Sequence, residues 1–480
     1  MIQRIDGQET PYIPAGIFKI RLPFVHYRLE LPEAVQGFFL VAVALGSIGV
    51  HQAVLGVPFD WAIAMVALNG VMYLLHPVFG DPVFPGWITP AIPLVMAYAA
   101  GFPLEVLGTE VDGNNNIQIV GQVQVVVADR IHAIIALQLL MAVLFTFLGV
   151  TGLAGKLVGY VPNSMRAGII LGAGMAAAIN VIEVRMVGQV YTILVGTLVC
   201  YIIMFSWRFF VAKDKNAFLG ILAKFGMLPG FIVAAIVGPI LGEISAPKFS
   251  GVIFQNFFSN MGNVIANFTI FSPNVGFPPA TFFIQALPLM FAAYIIAFGD
   301  FVLAEVVVKD ADVARPDEVI DFNPNRSNII AGLRNFVLAF LAPYGPLNGP
   351  LWAGGQVAVA ERFKMGKKGM YSIFGGLVSY TGAMAIAGFL MVVIDLVRPV
   401  LPAGLTLTLI VQAYACYYIA MEMCRTKEER GIAGIMATFL ALKGAAWGLA
   451  TGIILHLIIG VVSDEEKMAY IRAQKATKEA

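Results

Sequence analysis

The sequence predicts an all-α polytopic membrane protein. Its fourteen transmembrane segments form two inverted repeats of seven, with broken half-helices at segments 3 and 10. Three observations predict this. Of the 480 residues, 59% are hydrophobic and only 12% charged, with a mean hydropathy of +0.83, whereas soluble domains carry roughly 25% charged residues. Two short apolar segments at matching places in the two halves are interrupted by Pro and Gly, the pattern that marks a transporter's binding site. The Lys and Arg residues also fall overwhelmingly on one side of the expected topology, as the positive-inside rule requires.

Residues 1–33 are polar and mixed, carry Arg4, Lys19, Arg21 and Arg28, and read as a cytoplasmic amino-terminal segment with no cleavable signal. The first repeat, 34–247, has apolar spans at 34–56, 60–78, the broken 85–101, 130–150, 163–182, 186–207 and 227–247. The second repeat, 282–462, has 282–308, 327–343, the broken 350–361, 369–397, 402–424, 430–444 and 446–462. An odd number per half turns the second repeat upside down. Both termini then lie on one side, read as the cytoplasmic face of the cell (inner) membrane. Of the 30 Lys and Arg residues, Arg130, Arg185, Lys248, Arg398 and Lys443 fall outside and Arg334 within a span; all the others are inside.

Three connections are long. Residues 102–129, acidic and with Asn114, Asn115 and Asn116, read as an outer loop. Residues 248–281, rich in Phe and Asn, read as an outer connection lying on the membrane surface. The sequon Asn267-Phe268-Thr269 within it is a single triplet, close to chance. Residues 309–326 hold Asp310, Asp312, Asp317, Glu318 and Asp321 among basic residues and read as a solvated inner loop. The tail, 463–480, reads as short, charged and cytoplasmic.

The first break, GDPVFPGWITPAIPLVMAYAA (80–100), and the second, LAPYGPLNGPLWAGGQVAVAERF (341–363), share a Pro-x-Trp: Pro85-Gly86-Trp87 and Pro350-Leu351-Trp352. Prolines alone can make surface loops, but two matching Pro-x-Trp breaks fit broken spans better. Non-helical backbone at membrane depth belongs where it lines a cavity. Each half-helix then starts with unpartnered N–H groups and the positive end of its dipole, suited to an anion or to carbonyl oxygens. The expected substrate contacts are Trp87, Ile88 and Thr89 from the first break and Trp352, Ala353 and Gly354 from the second, with Gly355 allowing close approach. Trp87 and Trp352 can stack on a planar solute or serve as interfacial aromatics.

Ionisable residues within spans are costly and usually functional or paired. Asp300, in IIAFGDFVLAEVVV, lies about 12 Å from the inner end of its span at 1.5 Å per residue. It is the expected ion-coupling carboxylate, holding a sodium ion or taking up a proton. Glu305, the second coupling candidate, is turned about 140° away and can alternatively pair with Arg334 of the next span. His51 and Gln52 place two polar side chains in the first span, for substrate or for hydrogen bonds within the bundle. Asp60, Asp81, Glu183, Asp395 and Glu422 fall at span ends and need no special role.

No cofactor is expected beyond the coupling ion. Cys200, Cys416 and Cys424 lie in apolar runs without metal or disulfide spacing and read as packing residues. The net charge of +1 suggests no nucleic-acid partner. No zinc-binding spacing, nucleophile–histidine pairing or nucleotide-binding Gly-rich turn marks an enzyme. No rings of polar residues mark a channel.

In architecture, residues 34–462 resemble the seven-plus-seven inverted-repeat transporters. These are the nucleobase–ascorbate family, which includes the uracil and xanthine permeases, and the sulfate permease family. Gly299-Asp300 resembles a Gly-Asp of the eighth span in purine-type members, and VPNSMRAGIILGAGMAAAI (161–179) is similar to the start of their fifth span. His51-Gln52 resembles a first-span Gln-His pair in reversed order. Ile296 stands where those members carry a Glu, and Gly-Pro-Leu-Trp-Ala-Gly-Gly replaces their usual Glu motif in the tenth span. An uncharacterised sister family fits these departures.

The resemblance implies a core domain of segments 1–4 and 8–11, a gate domain of segments 5–7 and 12–14, and a homodimer in the bilayer. It also implies alternating access of the core against the gate. The expected activity is symport of a small organic anion or nucleobase-like solute coupled to H⁺ or Na⁺. The alternatives are an inorganic-anion carrier of the sulfate or bicarbonate kind, or a channel.

Overall fold

The computed structural model describes residues 4–113, 116–154, 156, 161–224 and 227–460. The expected features at Asn114, Asn115 and 463–480 lie outside these. The chain folds into helices interrupted by three two-stranded sheets. Six described helices are long and apolar enough to cross a bilayer, or up to eight if each of two bent pairs counts as one span. Shorter apolar helices accompany them.

The first span is two helices, α1 (Leu31–Leu45) and α2 (Ile48–Leu55), with a break at Gly46 and Ser47. The second is α3 (Phe59–Tyr73) with the short α4 (Leu75–Val78). The first half-helix, α5 (Ile92–Ala100), follows a 3₁₀ turn over Thr89–Ala91. Then come α6 (Asp129–Thr151), α7 (Asn163–Asn180), α8 (Val190–Phe205), α9 (Trp207–Lys213), α10 (Ala217–Lys224) and α11 (Leu228–Ile240). The connection between the halves contains α12 (Phe257–Phe268). The second half has α13 (Ala280–Ala314), α14 (Pro324–Leu341), the half-helix α15 (Ala353–Lys364), α16 (Ile373–Ala387) and α17 (Met391–Val397). It ends with α18 (Leu401–Met423), α19 (Lys427–Lys443) and α20 (Ala445–Ile459).

Small residues set the packing, because without a hydrophobic drive between helices in lipid, close backbone approach supplies the contact. A Cβ on Gly172 would lie 3.1 Å from Ala437 Cα, and one on Gly174 would lie 2.8 Å from Cys416 Cβ, which draws α7 onto α19 and α18. A Cβ on Gly332 would meet Thr146 Oγ1 at 2.4 Å, which draws α14 onto α6. That second group, α6 with α14, also holds α13, which lies against α6 and α15, and α16, which packs on α15 and α1.

Several expectations are corrected. Residues 102–129 are not a plain loop but an antiparallel hairpin of β4 (Glu105–Val111) and β5 (Ile117–Val127). The run IQIVGQVQVVV has the period-2 alternation and β-branched content of a strand. The span at 369–397 is broken between α16 and α17, where Gln255 donates from its amide to Gly388 O. The amino-terminal segment is folded, with a hairpin of β1 (Ile13–Ala15) and β2 (Phe18–Ile20). Gly7 N bonds Asp317 O, while Lys19 N and Arg21 N bond Phe79 O and Val78 O. Arg4 reaches Asp317 and Glu318, and Thr10 and Ser372 also donate to Glu318. The 309–326 loop is therefore half interface, with Arg315, Glu318 and Arg326 buried. There the Arg315 hydrogen bond, with Arg4 adding to it, holds the Asp317 carboxyl down at about 2.

Candidate functional site

The two breaks meet. Strand β3 (Gly86–Trp87) pairs antiparallel with β6 (Asn348–Gly349), Gly86 opposite Gly349 and Trp87 opposite Asn348. The pairing extends on both sides: Ile88 N donates to Leu347 O (3.1 Å) and Trp352 N to Phe84 O (2.7 Å). Antiparallel strands leave their crossing in opposite senses, so the half-helices that follow run away from one another with their amino ends at the crossing. Neither start carries a side-chain cap: Ile88 precedes the first and Trp352 the second. The first N–H groups of the second half-helix stay available to a ligand. At the first, Pro90 and Pro93 carry none and Ala91 N donates to Ile88 O (2.9 Å), which leaves the N–H of Thr89.

Sequence dictates how closely the breaks approach. A Cβ on Gly86 would stand 2.5 Å from Leu351 O and 2.8 Å from Trp352 N. One on Gly355 would stand 3.0 Å from the Phe84 ring. Gln356 reaches back from α15: its carbonyl accepts from Phe84 N (2.5 Å) and its amide donates to Pro82 O (3.2 Å). From α14, Asn335 brackets Asn348, accepting from its N–H (3.0 Å) and donating to its carbonyl (2.8 Å).

Arg334 binds both strands at once. One terminal nitrogen donates to Gly349 O (2.9 Å), the other to Asn348 Oδ1 (2.7 Å) and Gly86 O (3.3 Å). The guanidinium also lies 4.7 Å from the centre of the Tyr73 ring. It donates to His76 Nε2 (3.3 Å), which makes Nδ1–H the donor to Asp81 Oδ2 (2.7 Å); Ser327 holds the other carboxylate oxygen (2.8 Å). Arg334, His76 and Asp81 are fully buried. Asp81, expected to need no role at a span end, is thus the far end of the network behind the crossing.

The expected substrate residues divide by exposure. Ile88 is buried, whereas Trp87, Thr89, Trp352 and Ala353 stay partly open, so the crossing turns this edge outward. Gly354 lies in the first turn of α15. The Trp87 indole nitrogen is without a hydrogen-bond partner. Trp352 is edge-on to Phe84 (5.2 Å between centroids, 75°) and to Tyr380 (6.2 Å, 83°), so much of its surface is already engaged.

Asp300 is half-buried on α13. Ala304, one turn on, packs with Val83 and Leu351, which flank the crossing. The carboxylate is within electrostatic reach of Cys416 on α18. Among the described residues it makes no salt bridge. Glu305 does not pair with Arg334. Its carboxylate takes Lys309 (2.5 Å) on an exposed flank, away from the crossing, because the helical turn separates it from Asp300.

His51 is buried with both ring nitrogens unpartnered, its ring 4.4 Å from that of Tyr344. The Gln52 amide nitrogen is likewise unpartnered. Gln138 of α6, which accepts from Tyr344 N (2.8 Å), leaves its own amide nitrogen free beside the same loop. Helix α2 packs against both α5 and α18, so His51 and Gln52 lie where the two packing groups meet. Sequence reasoning missed Gln138, Gln356 and Asn335. A neutral amide within an apolar span was the available signal.

No family model and no curated protein matches the chain. Among solved structures it is similar to murine Solute Carrier 26 family member A9, described as an anion transporter in the inward-facing state. The TM-score is 0.52 and the identity 14%, over 90% of this chain and 68% of that one. It is also similar to the transmembrane domain of a cyanobacterium bicarbonate transporter, BicA, with TM-score 0.48 and 14% identity over 91% of this chain and 97% of that one. The nucleobase–ascorbate side of the expected resemblance is not shown by these findings. The fold, two broken helices crossing within a bundle of apolar helices long enough to cross a bilayer, is shared with the Solute Carrier 26 family member A9 structure.

Proposed function

We propose that the chain is a secondary transporter of a small anion, held where the half-helices α5 and α15 begin. The crossing of β3 and β6 carries this reading. It sets two uncapped helix starts, each worth roughly half a positive charge, on a partly open edge with Arg334 behind it. Murine Solute Carrier 26 family member A9, with which this chain shares its fold, is described as an anion transporter, which supports the same class of solute. The engagement of Trp352 with Phe84 and Tyr380 favours a small inorganic or organic anion over a planar nucleobase-like solute.

Two packing groups support a rocking mechanism: α1, α6 and α13–α16 as the core, α7, α8, α11, α18 and α19 as the gate. Asp300, one turn before the Ala304 that packs at the crossing, is the carboxylate to which this reading assigns the coupling of movement to an ion. The coupling ion is H⁺ or Na⁺: one carboxylate suffices to carry a proton, and the unwound carbonyls of a broken helix suit Na⁺. A homodimer formed through the gate and a cytoplasmic location for both termini complete the proposal.

The test is uptake of labelled anions into proteoliposomes under imposed H⁺ or Na⁺ gradients. Saturable, gradient-driven accumulation is the expected result. Flux that never saturates indicates a channel, and no anion flux under either gradient removes the reading.

A further inference from the structure

The amino-terminal strap carries an apolar finger that the fold holds away from the protein. Residues 22–27 turn back on themselves. Phe24 N donates to Tyr27 O (2.8 Å), His26 N to Leu22 O (3.0 Å), and Leu22 N to His26 Nδ1 (2.9 Å). His26 and Tyr27 are buried beneath the turn, while Phe24 is 68% and Val25 42% exposed. Phe24 has φ 63°, a left-handed conformation that a bulky residue rarely adopts. The flanking hydrogen bonds fix it there, so the phenyl ring is presented by a rigid tip.

The exposed apolar surface continues in one direction. Leu29 is exposed, and at the start of α1 Leu31 (74%) and Val35 (47%) lie one turn apart on one helix face. That face belongs to the apolar helix pair Leu31–Leu55, long enough to cross a bilayer. The finger therefore adjoins the end of a lipid-facing flank, at headgroup level.

Basic side chains stand beside it. Arg28 and Lys367 both approach the Tyr371 ring, at 5.7 and 6.0 Å from its centre. Arg28 shares Glu30 and Lys367 shares Asp6. Lys368 is exposed and in no ion pair among the described residues.

We infer that this finger lies in the membrane surface on the amino-terminal side. Phe24 and Val25 sit at the headgroup–acyl boundary, and Arg28, Lys367 and Lys368 bind anionic lipid headgroups. An apolar edge with a basic rim is what such a surface takes up. The strap is pinned to the ends of α4 and α13 and to the loop before α16. Lipid contact at the finger therefore bears on the helices that carry the crossing.

The test is a polarity-sensitive fluorophore on Phe24→Cys, and separately on Val25→Cys, in liposomes. The native thiols are all buried, so labelling is selective. The expected result is blue-shifted emission, quenched by lipids with a shallow doxyl group several-fold more than the same label at Glu110→Cys on the outer hairpin. The shift and quenching should grow as phosphatidylglycerol replaces phosphatidylcholine, and the lipid dependence should vanish in Arg28→Gln/Lys367→Gln/Lys368→Gln. Water-like emission at both positions overturns the proposal. So does apolar emission without doxyl quenching, which would mean a protein cover such as residues 461–480. Independence from phosphatidylglycerol overturns the headgroup assignment.

Discussion

Trp87 and Asn348, from opposite halves of the chain, lie directly opposite one another in an antiparallel pairing inside the helical bundle. Gly86 beside Trp87 has no room for a side chain, since a Cβ would press on the Leu351 carbonyl at 2.5 Å. Gly86→Ala should cost roughly 1–3 kcal/mol by forcing the breaks apart and should depress anion uptake. Gly262→Ala, inside α12 where a Cβ meets nothing within 4 Å, is the contrast: it should stabilise by roughly 0.5–1 kcal/mol and leave uptake unchanged. Thermal melting in detergent and uptake assays check both.

Arg334 is the second point of dependence. Arg334→Met strands the buried carbonyls of Gly86 and Gly349 and leaves His76 Nε2 without its donor, at a cost of about 1–3 kcal/mol for each buried acceptor left unsatisfied. Arg334→Lys should recover only part, because one ammonium cannot reach both strands as the guanidinium fork does. Equal stability of the Lys and Arg proteins would show that the fork does not bridge the breaks.

Asp300→Asn should leave the fold and melting temperature unchanged while abolishing gradient-driven uptake. Exchange of labelled for unlabelled anion should survive, since Asn imitates the protonated carboxyl. Concentrative uptake at the normal rate would remove Asp300 from coupling. Glu305→Gln, which breaks only an exposed pair with Lys309, should change stability by no more than about 0.5 kcal/mol and leave coupling intact.

Docking of the strap should depend on acid pH. The folded pKa of Asp317, depressed to about 2 by Arg315 and Arg4, lies below its ordinary value, so its stabilisation is complete above about pH 4 and is lost as the pH falls toward 2. Glu318 opposes this: burial raises its pKa, so its protonation relieves a penalty and softens the loss. Hydrogen exchange in residues 4–30 should rise over that window in the wild type. In Asp317→Asn the rise should shrink, leaving the part owed to Asp321, whose carboxyl is lowered, against the opposing effect of burial, by its bond to Lys19 of the strap.

Much of this architecture was legible in the chain because apolar runs and Pro-Gly breaks are local signals. The half-helices at 85–101 and 350–361 are legible in short apolar runs that follow Pro82, Pro85, Gly86 and Pro90 in one half and Pro343, Gly345, Pro346, Gly349 and Pro350 in the other, each with a Pro-x-Trp. Their contact was inferred from matching position, and β3 and β6 bear it out. What escaped was non-local or polar. The partner of Arg334 was sought in Glu305, the nearest carboxylate of a neighbouring span, but the guanidinium instead takes backbone carbonyls, which sequence does not distinguish. The strap at residues 4–30 was hidden because its anchors, Asp317, Glu318 and Ser372, lie far along the chain. The hairpin at 105–127 was visible in IQIVGQVQVVV, but hydropathy at span scale averages a period of two away.

One measurement bears most directly on a shared anion site at the crossing. Thr89→Cys and Ala353→Cys each place a reactive thiol in the first turn of one half-helix, on the partly open edge, with the native cysteines buried. Their rates of modification by a small thiol reagent are measured in proteoliposomes with and without saturating transported anion. The account predicts that the anion slows both rates with the same half-saturating concentration. Protection of neither position, or of only one, would contradict it.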